Sequence, residues 1–238
     1  MLDNLFSTLT VKHKKLRLSS SPMTVYHALY HEKTEVSFLL ESLESMDKRG
    51  RYSLVGAHPF LIFRARGRRI SLTAGEKTEQ FEGDPVAVLR QICRSYRDPL
   101  PIAPFSGGAV GYMAYDTIRY FENIPDANPD VIRTPDMVFV FPSEILIFDH
   151  AEGTLQLVVY DLEKQNRTRL DGLVERVEQC VSRGSPSKQL QLTAPLRFTP
   201  EISQAEFEEM VMRAREYILS GDIFQVVLSQ RLSFPFQH

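Results

Sequence analysis

Apolar positions along this chain of 238 residues change period several times, and each change marks a predicted element. Short β-rich or alternating runs predict strands, and apolar residues recurring every three to four positions predict helices. Ser21-Pro22 places a capping residue before a proline at the first helical position, opening a short helix through about His31. Glu35–Ser42 and Arg51–Gly56 predict strands. Phe60–Ala65 and Arg69–Thr73 flank Arg66-Gly67-Arg68, the signature of a hairpin turn. Asp84-Pro85 starts a helix with Leu89, Ile92, Cys93 and Tyr96 on one face. After a stretch punctuated by Pro and Gly, Met137–Asp149 and Thr154–Tyr160 predict a long hairpin around Ala151-Glu152-Gly153. Leu170, Leu173, Val174, Val177 and Val181 then mark an amphipathic helix ending near Gly184.

Arg183–Pro200 contains Gly-Ser-Pro-Ser and two further prolines, and reads as a linker. Beyond it, Ser203-Gln204-Ala205-Glu206 is a capping box, in which the Ser oxygen and the Glu carboxylate satisfy free backbone N–H groups reciprocally. Phe207, Met210, Val211, Ala214 and Ile218 follow at helical spacing, and that face is expected to find apolar partners. Gly221 is placed to stop the helix, and Asp222–Ser229 predicts a strand. These elements give an α+β fold, mainly antiparallel sheet with packed helices, divided into residues 1–198 and a second region, 199–238, that reads as the opening of another domain.

Composition narrows the function classes. Lys and Arg number 28 against 30 Asp and Glu, so the basic excess of a general nucleic-acid binder is missing. No apolar run approaches the roughly 18–20 residues that span a membrane, and the N-terminus lacks the pattern of a signal peptide. Two cysteines, Cys93 and Cys180, exclude a disulfide scaffold and a Cys-rich zinc site, and point to the reducing cytoplasm. Both read as inert thiols on apolar helix faces.

Candidate chemistry is sparse. There is no P-loop and no G-x-G-x-x-G. Gly107-Gly108-Ala109-Val110-Gly111-Tyr112 reads as a tight turn or a close backbone approach beside aromatics. His27 and His31 are four apart and can meet on one helix face, but no third metal ligand is nearby in sequence. Gln225 is a polar amide in an apolar run, Ile-Phe-Gln-Val-Val-Leu. Burying it without a partner would cost about 1–3 kcal/mol, so a partner is expected, by default a neighbouring backbone group.

Four segments, in order, resemble the N-terminal half of anthranilate synthase component I, a chorismate-binding enzyme. They are Phe38-Leu39-Leu40-Glu41-Ser42, then Gly50-Arg51-Tyr52-Ser53-Leu54-Val55-Gly56, then the glycine-rich segment with Tyr115-Asp116 and Arg119-Tyr120-Phe121-Glu122, and last Ala214 to Arg231. The resemblance implies a parent reaction in which chorismate and ammonia give anthranilate and pyruvate, with Mg²⁺ as cofactor and a glutamine amidotransferase subunit as the ammonia source. It implies a tryptophan effector site at Leu40, Glu41, Ser42 and Arg51. It also places Gln225 where the water-adding relatives carry a lysine base. Gln cannot take a proton at neutral pH, which suits ammonia, a nucleophile that needs no activation. The Mg²⁺ carboxylates and the chorismate contacts are implied to lie outside these residues, so the chain alone is expected to be inactive. Component I of aminodeoxychorismate synthase shares much of the pattern and is the first alternative; a non-catalytic amino-acid-binding module is the second. A homo-oligomer is a further expectation, and neither nucleic acid nor membrane is an expected partner.

Overall fold

The computed structural model describes residues 6, 9–17, 20–41, 50–96, 105, 107–127, 129–161, 166–183 and 197–235. In chain order its elements are β1 (Thr10–Arg17), α1 (Pro22–Leu29), β2 (Ser37–Leu40), β3 (Tyr52–Arg66), β4 (Arg69–Ala74), β5 (Lys77–Glu82), α2 (Pro85–Ser95), β6 (Val110–Met113), β7 (Met137–Asp149), β8 (Thr154–Asp161), α3 (Asn166–Arg183), β9 (Thr199–Pro200), α4 (Gln204–Ser220) and β10 (Leu232–Ser233). They fall into two compact units, Met1–Ser187 and Lys188–His238.

The first unit is an eight-stranded antiparallel sheet in the order β1-β8-β7-β3-β4-β5, with β2 added on β3 and β6 on β7. The hairpin expected around Ala151-Glu152-Gly153 is β7–β8, and the one expected around Gly67 is β3–β4, with Gly67 at φ 53°. The two strands expected at Arg51–Gly56 and Phe60–Ala65 are instead one strand, β3. The 13-residue β7 pairs with both halves, and a bulge between Pro59 and Leu61 accommodates one extra residue. His58, beside it, has φ 51°.

Strands β1 and β5 lie at the two ends of the strand order, and neither alternates in hydrophobicity. Their sequences, TVKHKKLR and KTEQFE, are those of charged edge strands, which discourage pairing with other chains.

Alternation along β7 divides the core between the sheet's two faces. Leu146 and Phe148 pack on one face with Val55, Ala57, Leu155, Leu157, Val25 of α1 and Leu173 and Val177 of α3. Ile145 and Ile147 point the other way, towards Val158 and Tyr160, and farther along the strand Met137 and Phe141 join Leu61, Phe63 and α2 residues Leu89 and Ile92. Cys93 is exposed, not on the apolar stripe of α2, whereas Cys180 is buried in α3.

The glycine segment is a close approach beside aromatics. A Cβ on Gly107 would lie 1.9 Å from the Tyr96 hydroxyl, and one on Gly111 would lie 1.9 Å from the Val138 carbonyl oxygen. The first clash meets side chains, and the fully buried Tyr160 stands behind Tyr96 with its hydroxyl at 2.3 Å; the second meets a paired strand backbone that cannot yield.

In the second unit, α4 begins with the expected capping box. The Ser203 side chain accepts from the Glu206 backbone N–H, and the Glu206 carboxylate accepts from the Ser203 N–H at 2.7 Å. Gly221 ends the helix at φ 83°. No side chain of α4 is buried. Asp222–Ser229 is not a strand: these residues join no ladder among the described residues, where the pairing in this unit joins Leu232–Ser233 to Thr199–Pro200. A β-rich composition supplies propensity, but a strand needs a neighbour to accept its hydrogen bonds.

Candidate functional site

Two of the four motifs are brought together by strand pairing. In β2–β3, Phe38 faces Gly56, Leu39 faces Val55 and Leu40 faces Leu54. A Cβ on Gly56 would lie 2.2 Å from Cζ of Phe38, so the glycine lets the Phe38 ring lie flat on its neighbour strand. Leu39 packs against the core under α1 and α3, while Leu40 stays 47% exposed on the opposite face. Glu41 follows, exposed. Ser42 lies outside the described residues.

Arg51 immediately precedes β3 at the same end of the sheet. Its Nε and Nη2 donate to the Asp149 carboxylate, Nε at 3.0 and 3.1 Å and Nη2 at 2.6 Å, and Nη2 also reaches Glu152 at 3.4 Å. The guanidinium carbon stands 5.0 Å from the Tyr52 ring centroid. Hydrogen bonding from Arg51 holds the Asp149 carboxyl below its ordinary range and raises the guanidinium pKa. Lys15 of β1 also donates to Glu152, at 2.6 Å, and the Ser53 hydroxyl lies 2.7 Å from Nε2 of His150. The β7–β8 turn thus presents a mixed-charge rim beside the Leu40–Leu54 pair. An exposed leucine, a carboxylate and a partly engaged guanidinium can meet the apolar, ammonium and carboxylate parts of an amino acid.

A polar network that the periodicity did not reveal lies beneath α1 and α3. Glu144 is 5% exposed and opposite Ala57 in the ladder. It accepts from the Tyr30 hydroxyl at 2.9 Å and from Nη2 of Arg176, 2.9 Å from each carboxylate oxygen, with His58 Nε2 at 4.0 Å. Burial, then the neighbouring carboxylate, raises the Tyr30 phenol well above its ordinary pKa. Tyr30 therefore stays a neutral donor, and Glu144 acts as a buried clip tying both helices to the sheet. A glutamate inside the apolar run Phe141-Pro142-Ser143-Glu144-Ile145-Leu146 was the sequence signal for it.

The remaining candidates take no part in the contacts just described. Gln225 is exposed and belongs to the second unit, so the expected burial inside a strand does not occur. The His27 and His31 rings do meet, with centroids 4.4 Å apart, but no group of three His, Cys, Asp or Glu side chains suited to a metal ion forms among the described residues. No helix among them is long and apolar enough to cross a membrane.

Comparison with known proteins bears on the same segments. The family model described as chorismate binding enzyme matches residues 18–238. Anthranilate synthase component 1 of Thermus thermophilus is 38% identical over 216 residues, covering 90% of this chain and 45% of the relative. The corresponding protein of Acetivibrio thermocellus is 34% identical over 220 residues, covering 84% and 44%. The crystal structure of anthranilate synthase component I from Streptococcus pneumoniae TIGR4 superposes with a TM-score of 0.66 at 28% identity, over 92% of this chain and 48% of that one. The chain therefore spans just under half the length of these relatives.

Proposed function

The chain belongs to the chorismate-binding enzyme family, and from that premise we propose that it serves as the effector-binding portion of an anthranilate synthase large subunit in the cytoplasm. The parent reaction joins ammonia, delivered by a glutamine amidotransferase subunit, to chorismate and releases anthranilate and pyruvate. The observation that carries the reading is the agreement between the family match over residues 18–238 and the anthranilate synthase relatives, 34–38% identical to this chain. Those relatives favour the anthranilate branch over aminodeoxychorismate synthesis.

Within this reading, Leu40, Glu41, Ser42 and Arg51 hold tryptophan. Leu40 and the Tyr52 ring offer the indole an apolar wall, Glu41 and the Ser42 hydroxyl take the ammonium group, and Arg51 faces the carboxylate. Support comes from the β2–β3 pairing that sets the two motifs side by side. Gln225 belongs to the ammonia chemistry, where a side chain that cannot act as a base at neutral pH leaves water unactivated. Mg²⁺ would supply Lewis-acid assistance to loss of the chorismate hydroxyl. The described residues bring no metal-binding set together, so no metal-dependent step is assigned to this chain.

Calorimetry with L-tryptophan tests the effector assignment. The 238-residue chain is expected to bind in the high-micromolar to millimolar range, about −4 to −6 kcal/mol, and Ser42→Ala to weaken binding. Equal, tight binding by both proteins would place the site elsewhere. With chorismate, Mg²⁺ and ammonium, the chain alone is expected to form no fluorescent anthranilate; turnover above a heat-killed control would show that it holds a complete catalytic site.

A further inference from the structure

The outer face of the β3–β4–β5 sheet carries a basic groove that the chorismate and tryptophan readings leave unused. The ladder places its side chains in two transverse rows. Arg64 of β3 pairs with Ser71 of β4, which pairs with Gln80 of β5; one step along, Arg66 pairs with Arg69, which pairs with Glu82. These residues alternate with the buried Ala65, Ile70 and Leu72, so all six project away from the core. With Pro135 as a further wall they line an open cavity of about 480 Å³, large enough for a small metabolite.

The charge arrangement is unusual for an idle surface. The lining holds three guanidinium groups and one carboxylate, in a chain whose formal net charge is −2. Arg66 and Arg69 stand directly opposite each other, a like-charge juxtaposition that destabilises a sheet, and Glu82, opposite Arg69 on its other side, offsets part of it. Arg66 is relieved by the Asp130 carboxylate, and Asp130 is itself held by the Arg133 backbone N–H at 2.8 Å. Among the described residues, Arg64 and Arg69 have no carboxylate within ion-pairing distance. Residues diagonal across a ladder sit roughly 7–8 Å apart, close enough for two long side chains to converge on one ligand. Ser71 neighbours both, opposite Arg64 and two residues from Arg69 on β4, and Gln80 lies beyond it on β5, diagonal to Arg69.

We propose that this groove binds a small dianion, clamped between the guanidinium groups of Arg64 and Arg69 with Ser71 and Gln80 completing its hydrogen bonds. The planar fork of arginine suits the paired oxygens of both phosphate and carboxylate. The proposal does not depend on the effector or catalytic assignments, because no lining residue takes part in either.

The test uses the 238-residue chain at about physiological ionic strength, where a diffuse surface field is screened beyond roughly 8 Å. Titrations with inorganic phosphate and with succinate are followed by calorimetry and by NMR shifts of the Arg64, Arg69 and Gln80 amides. Saturable binding of at least one probe is expected, and which one binds more tightly separates phosphate esters from dicarboxylates as the natural class. Combined Arg64→Gln and Arg69→Gln substitution should weaken it by about ten-fold or more, at unchanged circular dichroism. Arg69→Lys should give a smaller loss, because it keeps the charge and removes the fork. Arg90→Gln, on exposed α2 surface, should bind like the parent. No saturation with either anion below about 10 mM, at or below the weakest specific affinities, would overturn the site. So would unchanged binding by the double variant, a loss in Arg90→Gln equal to that of the double variant, or wild-type affinity in Arg69→Lys.

Discussion

Helices α3 and α4 have 18 and 17 residues, and both carry apolar side chains at helical spacing. Helix α3 buries Leu173 and Val177 completely, with Leu170, Val174 and Cys180 nearly so. Helix α4 buries nothing, and its Met210, Val211 and Ile218 are 39–44% exposed. The difference is not local. With its capping box and left-handed glycine stop, α4 is well delimited by its own residues. What α3 has in addition is a sheet beneath it, and burial rather than helix signals supplies most of the stability of a protein helix. Burying a large apolar side chain gains roughly 1.5–3 kcal/mol, a gain that the stripe on α4 does not collect among the described residues.

The sharpest break of that contrast is a pair of truncations. Leu173→Ala should cost about 2–5 kcal/mol in urea unfolding followed by circular dichroism, whereas Ile218→Ala should stay within about 0.5 kcal/mol. A loss above about 2 kcal/mol for Ile218→Ala would mean that something covers α4 in solution, and a concentration dependence would identify a second copy of the chain.

A smaller effect separates local from tertiary stability. Ser203→Ala removes the side-chain cap and should destabilise α4 by about 1 kcal/mol. Hydrogen exchange should register this in the first turn of α4, while amides of β7 and β8 keep their protection. Loss of protection in both units together would show that they unfold as one.

The smallest expected effect is the acid sensitivity of the first unit. The folded state depresses the Asp149 carboxyl pKa, so its ion pair contributes stability above the unfolded value of 3.8 and loses it as pH falls through the folded value. Asp149→Asn should therefore be slightly less stable at neutral pH and converge with the parent in acid. Arg51 is substantially exposed, so screening keeps the difference small, and thermal melts in high salt should shrink it further. A difference that grew in acid would put the pair's contribution at the wrong sign.

The parts of this fold legible in the sequence are those where local pattern and burial agree. β7 and β8 read correctly because they are long, apolar on both faces and joined by a turn with Gly153 at φ 62°. The α4 boundaries read correctly because caps are chemical and local. Strands β1 and β5 carry no such pattern, because edge position removes the alternation that betrays a half-buried strand. Propensity alone predicts a strand at Asp222–Ser229, but these residues form no ladder among the described residues. The candidate rim shows the same division. Its motifs were visible, but the Arg51–Asp149 and Tyr30–Glu144 contacts join residues 98 and 114 positions apart, and only the sheet topology creates them.

The bulge in β3 gives that strand two reading frames. Before it, odd-numbered Val55 and Ala57 turn towards α1 and α3; after it, odd-numbered Leu61, Phe63 and Ala65 turn towards α2, on the opposite face. One extra residue performs the frameshift. Deleting Phe60 would therefore remove that extra residue, straighten the strand and leave both halves facing their cores. A one-residue deletion elsewhere, at Ile62 for instance, would carry its effect down the rest of the strand. With the residues before it held in place, Phe63 and Ala65 would rotate out of their core, and Arg64 and Arg66 would rotate into it. Single-residue changes of length in this strand are tolerable only at the bulge or at its ends, whichever side chains occupy the other positions.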